Sequence, residues 1–166
     1  MKTIQPEEIR DNPFTMIGDD WLLIGAEKAG KVNAMTASWG GMGIIWNKPV
    51  VTIYLRPSRY TKELVDNGKT FSINVLPRQE RPILDYCGSH SGRTEDKIAA
   101  AKLNVEHTDD TPWFTQSRLV LICRKLYVQE LAPDNFVGRD VCIKNYPQKD
   151  YHTMYIAEIT KVLAEA

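Results

Sequence analysis

Short runs of β-branched and aromatic residues recur along this chain, separated by Gly, Pro, Asn and Asp, and strands so short and so regularly spaced close into a barrel or stack as a sandwich. The runs cover residues 21–26 (WLLIGA), 31–39, 42–46, 50–55 (VVTIYL), 70–76 (TFSINVL), 118–131 and 151–163. Helical patterning is confined to 60–67, 79–87 and 94–102, the last with Thr94 as its cap and Glu95 and Asp96 in its first turn. Helices this few punctuate a sheet and do not alternate with its strands. The 166 residues make one domain over 1–166. A domain of that size buries roughly 70% of the surface its unfolded chain exposes and needs no staple. The N-terminal stretch to Phe14, with Pro6, Asn12 and Pro13, reads as a short helix or arm, and 146–150 as a polar turn before the final strand.

Charge and composition remove several function classes. Formal net charge is zero and the sequence pI is about 6.8, so no global field draws in nucleic acid or anionic lipid. Any phosphate site here is local. The three cysteines, Cys87, Cys123 and Cys142, include no Cys-x-x-Cys pair, which speaks against a disulfide framework and for a reducing compartment, with cytoplasm the default. No basic leader pattern opens the chain and no apolar run approaches the roughly 20 residues that cross a bilayer, so a soluble, unprocessed protein is expected. Cys87-x-x-His90 is half of a zinc-like spacing without a second half among Cys123, Cys142, His107 and His152, so no metal site is expected. Cys123 lies in an apolar strand pattern and reads as an inert buried thiol. Gly40, Gly41 and Gly43 lack the G-x-G-x-x-G spacing and open no helix, which excludes a Rossmann site.

The segment with most chemistry is 33–61, NAMTASWGGMGIIWNKPVVTIYLRPSRYT. Residues 50–55 form a strand bounded by Pro49 and Pro57, and Arg56-Pro57-Ser58-Arg59-Tyr60-Thr61 leads from it into a helix that stops at Asn67-Gly68. Such a turn gathers orphan backbone N–H groups, three hydroxyls and two guanidinium groups, a combination that suits phosphate. On these residues alone, the alternative is that Ser58 or Thr61 caps the helix and that the arginines are solvated or paired with Glu63.

NAMTASWGG, WNKP at 46–49, YLRPSRYT and SGRTEDK at 91–97, in that order, resemble the flavin reductase-like group of FMN-binding split-barrel proteins, which includes the electron carrier flavoredoxin. The resemblance runs from about residue 21 to about residue 162. It implies a mainly β fold, an antiparallel Greek-key split β-barrel with a few short helices, and a homodimer with FMN at the subunit interface. The exposed edges of a small open barrel give a physical reason to pair.

The resemblance also assigns roles. Thr36, Ala37, Ser38 and Trp39 fit the polar rim of the flavin ring, where short donors on closely approaching backbone are needed. Arg56, Ser58, Arg59, Tyr60 and Thr61 match the phosphate-binding turn. Ser91, Gly92, Arg93 and Lys97 resemble a second motif that closes over the cofactor, its cations neutralising phosphate or reduced flavin. Without the resemblance that motif is a glycine turn before an ordinary capped surface helix. His152 matches only part of a Gly-Asp-His turn, since Tyr151 replaces the acid. It is carried as the catalytic candidate touching nicotinamide or flavin, against the plainer reading of a packing residue. Trp39 is placed by the ring-edge segment, and Trp46 is expected in the core or a dimer interface.

Three functions follow. The first is an NAD(P)H:flavin oxidoreductase, with NADH or NADPH as donor and free flavin or another acceptor downstream. The second is a flavoredoxin-type FMN carrier serving a redox protein partner. The third is a split-barrel binding protein without flavin, which the intact arginine, hydroxyl and glycine motifs disfavour.

Overall fold

In a computed structural model, residues 1–165 are described. Ten strands and five α-helices occur among them: β1 (Lys2–Ile4), α1 (Pro13–Thr15), β2 (Leu22–Lys28), β3 (Lys31–Ala37), β4 (Gly40–Ile45), β5 (Lys48–Leu55), α2 (Tyr60–Asn67), β6 (Thr70–Val75), α3 (Arg81–Ser89), α4 (Lys97–Ala100), β7 (Val105–Thr108), β8 (Thr111–Phe114), β9 (Leu119–Glu130), α5 (Arg139–Asn145) and β10 (Thr153–Ala164). Each of the seven expected strands is present. The chain is mainly β, and every strand pair is antiparallel.

The main sheet runs β3-β2-β6-β9-β10-β5-β4, with β1 added to the far end of β10. β3 and β4 are therefore its two outer edges, yet only Ser38 and Trp39 separate them in the chain. A link that short forces the edges together at one end, so the sheet curls around its core without β3 and β4 pairing. Residues from both sides of the opening share that core: Met35 and Ala37 of β3 pack in one cluster with Val51, Ile53 and Leu55 of β5. The sheet is thus an open, split closure, not a continuous barrel. β10 is its long central element, paired along its whole length with β9, and on its other side with β5 at Thr153–Glu158 and then β1 at Val162–Ala164.

Tight turns pin the hairpins. Ala29-Gly30, Trp46-Asn47 and Asp109-Asp110 each join two strands with both turn residues at positive φ, the backbone that matches strand twist. Trp46 is thus a turn residue, 56% exposed, and not part of the core. A second apolar cluster, including Leu23, Leu84, Leu103 and Phe114, fastens α3 and the β7–β8 hairpin to the outside of the sheet. Buried Asn74 secures that hairpin, its Oδ1 accepting from the Phe114 N–H at 3.0 Å and from Ser117 Oγ at 3.2 Å.

Several local expectations are corrected. The last expected helix is shorter, Lys97–Ala100, and its cap is Asp96, whose Oδ1 accepts from the Ala99 N–H, not Thr94, which belongs to the preceding turn at Ser91. Strand 31–39 ends at Ala37, leaving Ser38 and Trp39 outside the ladder. The N-terminal arm includes a strand, and the region before the last strand includes α5. Gly68 closes α2 through its N–H to the Leu64 carbonyl, in extended rather than left-handed backbone. Cys123 is fully buried, and burial pushes its thiol pKa up. No helix among the described residues is long and apolar enough to cross a membrane.

Gly40 of β4 pairs with Ile53 of β5, and a Cβ there would stand 2.8 Å from the Thr52 carbonyl oxygen. Backbone cannot yield as a flexible side chain does. Gly40→Ala is expected to cost about 1–3 kcal/mol, measured as a lower urea midpoint at unchanged m-value.

Candidate functional site

Three donors from three different elements converge on α3, two of them on its last turn. Thr36 of β3 gives its hydroxyl to the Leu84 carbonyl at 2.5 Å, Lys97 of α4 gives Nζ to the Cys87 carbonyl at 2.8 Å, and Arg59, before α2, gives Nη1 to the Gly88 carbonyl at 2.7 Å. The Cys87 and Gly88 carbonyls lie in the last turn, where helix carbonyls lack intrahelical partners and carry its negative end, so they attract the two cations. The segments at 36, 59 and 97, far apart in sequence, are thereby held in one place.

The charge at this place does not balance. Arg56 is paired with Asp150 and also donates to the Asn145 carbonyl, and Arg93 is paired with Glu63. Among the described residues, Arg59 and Lys97 have no carboxylate within 4.0 Å. Lys97 is only 3% exposed. Burial lowers the pKa of both; neighbouring Arg56 lowers that of Arg59 further, and Arg59 acts on Lys97 in the same sense. A helix end offers roughly half a negative charge. Two partly desolvated cations sharing one such end remain short of anion.

Thr61 adds a hydroxyl aimed by its neighbours. It is buried in the first turn of α2, and its Oγ1 accepts from Asn33 Nδ2 at 2.9 Å. Because the amide supplies the proton of that bond, the threonine's own proton is left to give, and it meets no acceptor among the described residues. Asn33 is itself locked by Gly92, where any Cβ would overlap the Asn33 carboxamide. Lys31 donates to the Gly92 carbonyl at 3.2 Å and stands over the Tyr60 ring beside Arg93. Ser58 and Ser91 are exposed: Ser58 has no side-chain hydrogen bond among the described residues, and Ser91 organises the turn carrying Gly92 and Arg93. The donor set fits a phosphate monoester: two cations without acids, a directed hydroxyl and the start of a helix.

Beside this cluster lies an aromatic group. His152 is 7% exposed, its Nδ1 is 2.8 Å from the Tyr146 hydroxyl, and its ring lies 4.9 Å from that of Trp39. Arg56 approaches the face of Tyr146 at 5.3 Å. Burial first, then the Arg56 charge, depress the His152 pKa to about 4, outweighing Asp150. His152 is therefore neutral at pH 7 and orients groups rather than supplying charge. Trp39 also borders a cleft of about 660 Å³ that includes Ser38, Tyr54 and Tyr146 but none of the basic residues.

The structure thus brings together Thr36, Ala37, Ser38 and Trp39 at the end of β3, with Arg59, Thr61, Gly92 and Lys97 nearby, and commits Arg56 and Arg93 to acids. Asn33, Tyr146, Asp150 and the carbonyls of α3 escaped notice in the sequence. A buried-strand Asn between apolar neighbours was the one legible signal among them. No group of three or more His, Cys, Asp or Glu able to hold a metal ion occurs among the described residues.

Residues 18–166 match the flavin reductase like domain, and the chain belongs to the flavin reductase-like family. Similar solved structures include flavoredoxin from Methanosarcina acetivorans, 23% identical, covering 98% of this chain and 76% of that one at a TM-score of 0.72. Flavoredoxin of Desulfovibrio vulgaris (Miyazaki F) is 21% identical over 99% of this chain and 77% of its own, at 0.70. An FMN-binding domain of a flavin reductases-like enzyme from Shewanella baltica OS155 is 17% identical over 97% and 75%, also at 0.70. At these identities the likeness establishes the fold. The curated proteins give no match.

The His152 pKa sets a pH dependence. Its folded value lies below the unfolded value near 6.5, so the unfolded chain binds the extra proton and stability falls as pH drops from about 6.5 towards 4, then levels. The loss approaches about 3 kcal/mol at most. Urea unfolding between pH 7 and pH 4 is expected to show this slope, and His152→Gln is expected to flatten it.

Proposed function

We propose that this protein is an FMN-binding oxidoreductase that takes reducing equivalents from NADH or NADPH and passes them to free flavin or another acceptor. The observation that carries it is the pair of acid-free cations, Arg59 and Lys97, beside the directed hydroxyl of Thr61. These three residues would hold the phosphate, with Gly92 keeping Asn33 and hence Thr61 in place. Arg56, Tyr60, Ser58, Ser91 and Arg93 shape the rim of that site.

β3 is a sheet edge, so part of its backbone faces no neighbouring strand, and Ser38 and Trp39 lie in no strand at all. Backbone groups of Thr36, Ala37, Ser38 and Trp39 are therefore available to the polar rim of the ring. When bound, FMN supplies reversible two-electron chemistry. His152, neutral and held by Tyr146, fixes the position of Trp39 and offers a ring nitrogen rather than a charge.

A second reading, an electron carrier serving a redox protein, is favoured by the resemblance to two flavoredoxins. In either reading we expect a homodimer with the flavin at its interface. The unpaired outer edge of β4 and the exposed Ile44 and Trp46 at its tip support this. The protein works in the cytoplasm on this proposal.

Anaerobic mixing of the FMN-loaded protein with NADH and then NADPH separates the two readings. Rapid bleaching of the flavin band with either donor is expected of the reductase, whereas flavin that stays bound and oxidised points to the carrier. Arg59→Ala is expected to weaken FMN binding by about 2 kcal/mol. Unchanged affinity in a fluorescence titration removes Arg59 from the phosphate site.

A further inference from the structure

Tyr146 carries a group that packing alone does not require. Its backbone N–H closes α5 on the Cys142 carbonyl at 2.9 Å, and its own carbonyl accepts from the Lys149 N–H at 3.1 Å. The turn around it is pinned to the end of β5, because Arg56 pairs with Asp150 and donates to the Asn145 carbonyl at 3.0 Å. Phe136 at 5.7 Å, Tyr151 at 5.0 Å and the Arg56 guanidinium at 5.3 Å then hold the ring. A phenylalanine would meet each of those ring contacts. The hydroxyl is an addition, and a buried hydroxyl costs stability unless it is bonded. Its partner among the described residues is His152 Nδ1, 2.8 Å away.

The direction of that bond follows from the groups around it. His152 is neutral at pH 7, because burial and Arg56 outweigh Asp150. One of its ring nitrogens therefore carries a proton and the other a lone pair, and the bond made by one fixes the state of the other. Burial pushes the Tyr146 pKa up, while the Arg56 charge and the His152 backbone N–H draw it down. Positive groups thus already act on the phenol, which makes it a better donor than acceptor. Were Nδ1 to hold the imidazole proton, the phenol proton would have no acceptor among the described residues. With that proton on Nε2, the phenol gives its own to the Nδ1 lone pair. Nε2 makes no hydrogen bond among the described residues, and no buried side-chain nitrogen or oxygen described is left without a partner. Nε2 is consequently the nitrogen open to a ligand, on a ring 4.9 Å from that of Trp39.

We propose that Tyr146 is a positioning residue whose hydroxyl fixes His152 as the neutral tautomer protonated on Nε2, making the imidazole a hydrogen-bond donor to its ligand. The atom it meets is then a carbonyl oxygen or an unprotonated ring nitrogen. His152 takes no proton from that ligand, because its lone pair is turned to Tyr146. In the oxidoreductase proposed above, on which this last step rests, Nε2–H would hold a carbonyl oxygen of flavin or nicotinamide, in a bond that strengthens as negative charge gathers there.

Long-range proton–nitrogen correlation spectra of the flavin-free protein, labelled with nitrogen-15 histidine, report the tautomer. Three histidines contribute, His90, His107 and His152, and His152→Gln identifies the signal of interest. At pH 7 His152 is expected to show a protonated Nε2 and a lone pair on Nδ1. Tyr146→Phe is expected to return it to a mixture of tautomers. A protonated Nδ1 in the unsubstituted protein overturns the proposal, and that spectrum decides the matter even if the variant does not fold. A tautomer indifferent to Tyr146→Phe in the folded variant also overturns it.

These spectra need no flavin, so they stand whether or not the reductase reading does. In the FMN-loaded protein, Tyr146→Phe is expected to slow bleaching by the nicotinamide donor about tenfold, the worth of one hydrogen bond, with FMN affinity unchanged. An unchanged bleaching rate removes the His152 donor from the reaction. Flavin that neither nicotinamide reduces, with the Nε2 tautomer intact, counts against the reductase reading alone.

Discussion

The end of α3 is the point on which the site depends. A nine-residue helix presents carbonyls to Thr36, Arg59 and Lys97, which arrive from a strand, a turn and a second helix, the two cations taking its last turn. The bonds from Arg59 and Lys97 satisfy carbonyls of the last helical turn, which lack intrahelical partners. Their joint effect is to bring two cations to one small volume with no acid to meet them. Folding alone does not require that arrangement, since burial depresses the pKa of both groups, with Arg56 adding repulsion at Arg59 and Arg59 at Lys97. An anionic ligand would offset the buried positive charge with charge-assisted contacts, which is why a phosphate group is the natural complement.

The second constraint is topological. Consecutive strands β3 and β4 lie at opposite edges of one sheet, and the two residues between them leave no slack. The sheet must curl until its edges meet, and Ser38 and Trp39 sit at the meeting point. One side of this seam faces the cationic cluster and the other opens into the uncharged aromatic cleft. Neutral His152 is buried beside Trp39 and bonded to Tyr146, and adds no charge there.

Much of this was legible in the sequence because strands announce themselves by β-branched runs and turn punctuation. The seven main strands, α2 and α3 all follow that logic. The β7–β8 hairpin was missed because Pro112 breaks its pattern and its turn is Asp-Asp rather than a glycine turn. α5 was missed because only seven residues form it, around Val141 and Ile143, which are exposed. The motifs at 36–39, 59–61 and 91–97 identified residues that do come together, but pairings across the fold are invisible in one dimension. Nothing in the chain order says that Asp150 takes Arg56, that Glu63 takes Arg93, or that backbone carbonyls of α3 take Arg59 and Lys97. Those pairings decide which cations remain for a ligand.

The central claim is that the acid-free cations at the end of α3 are a phosphate site, and parallel titrations of the flavin-free protein with FMN and with riboflavin address it directly. The two ligands share a ring and differ in the phosphate. FMN should bind more tightly than riboflavin by about tenfold or more, as expected for charge-assisted contacts, and Lys97→Met should erase most of that difference. Equal affinities for FMN and riboflavin, or a preference untouched by Lys97→Met, would contradict it.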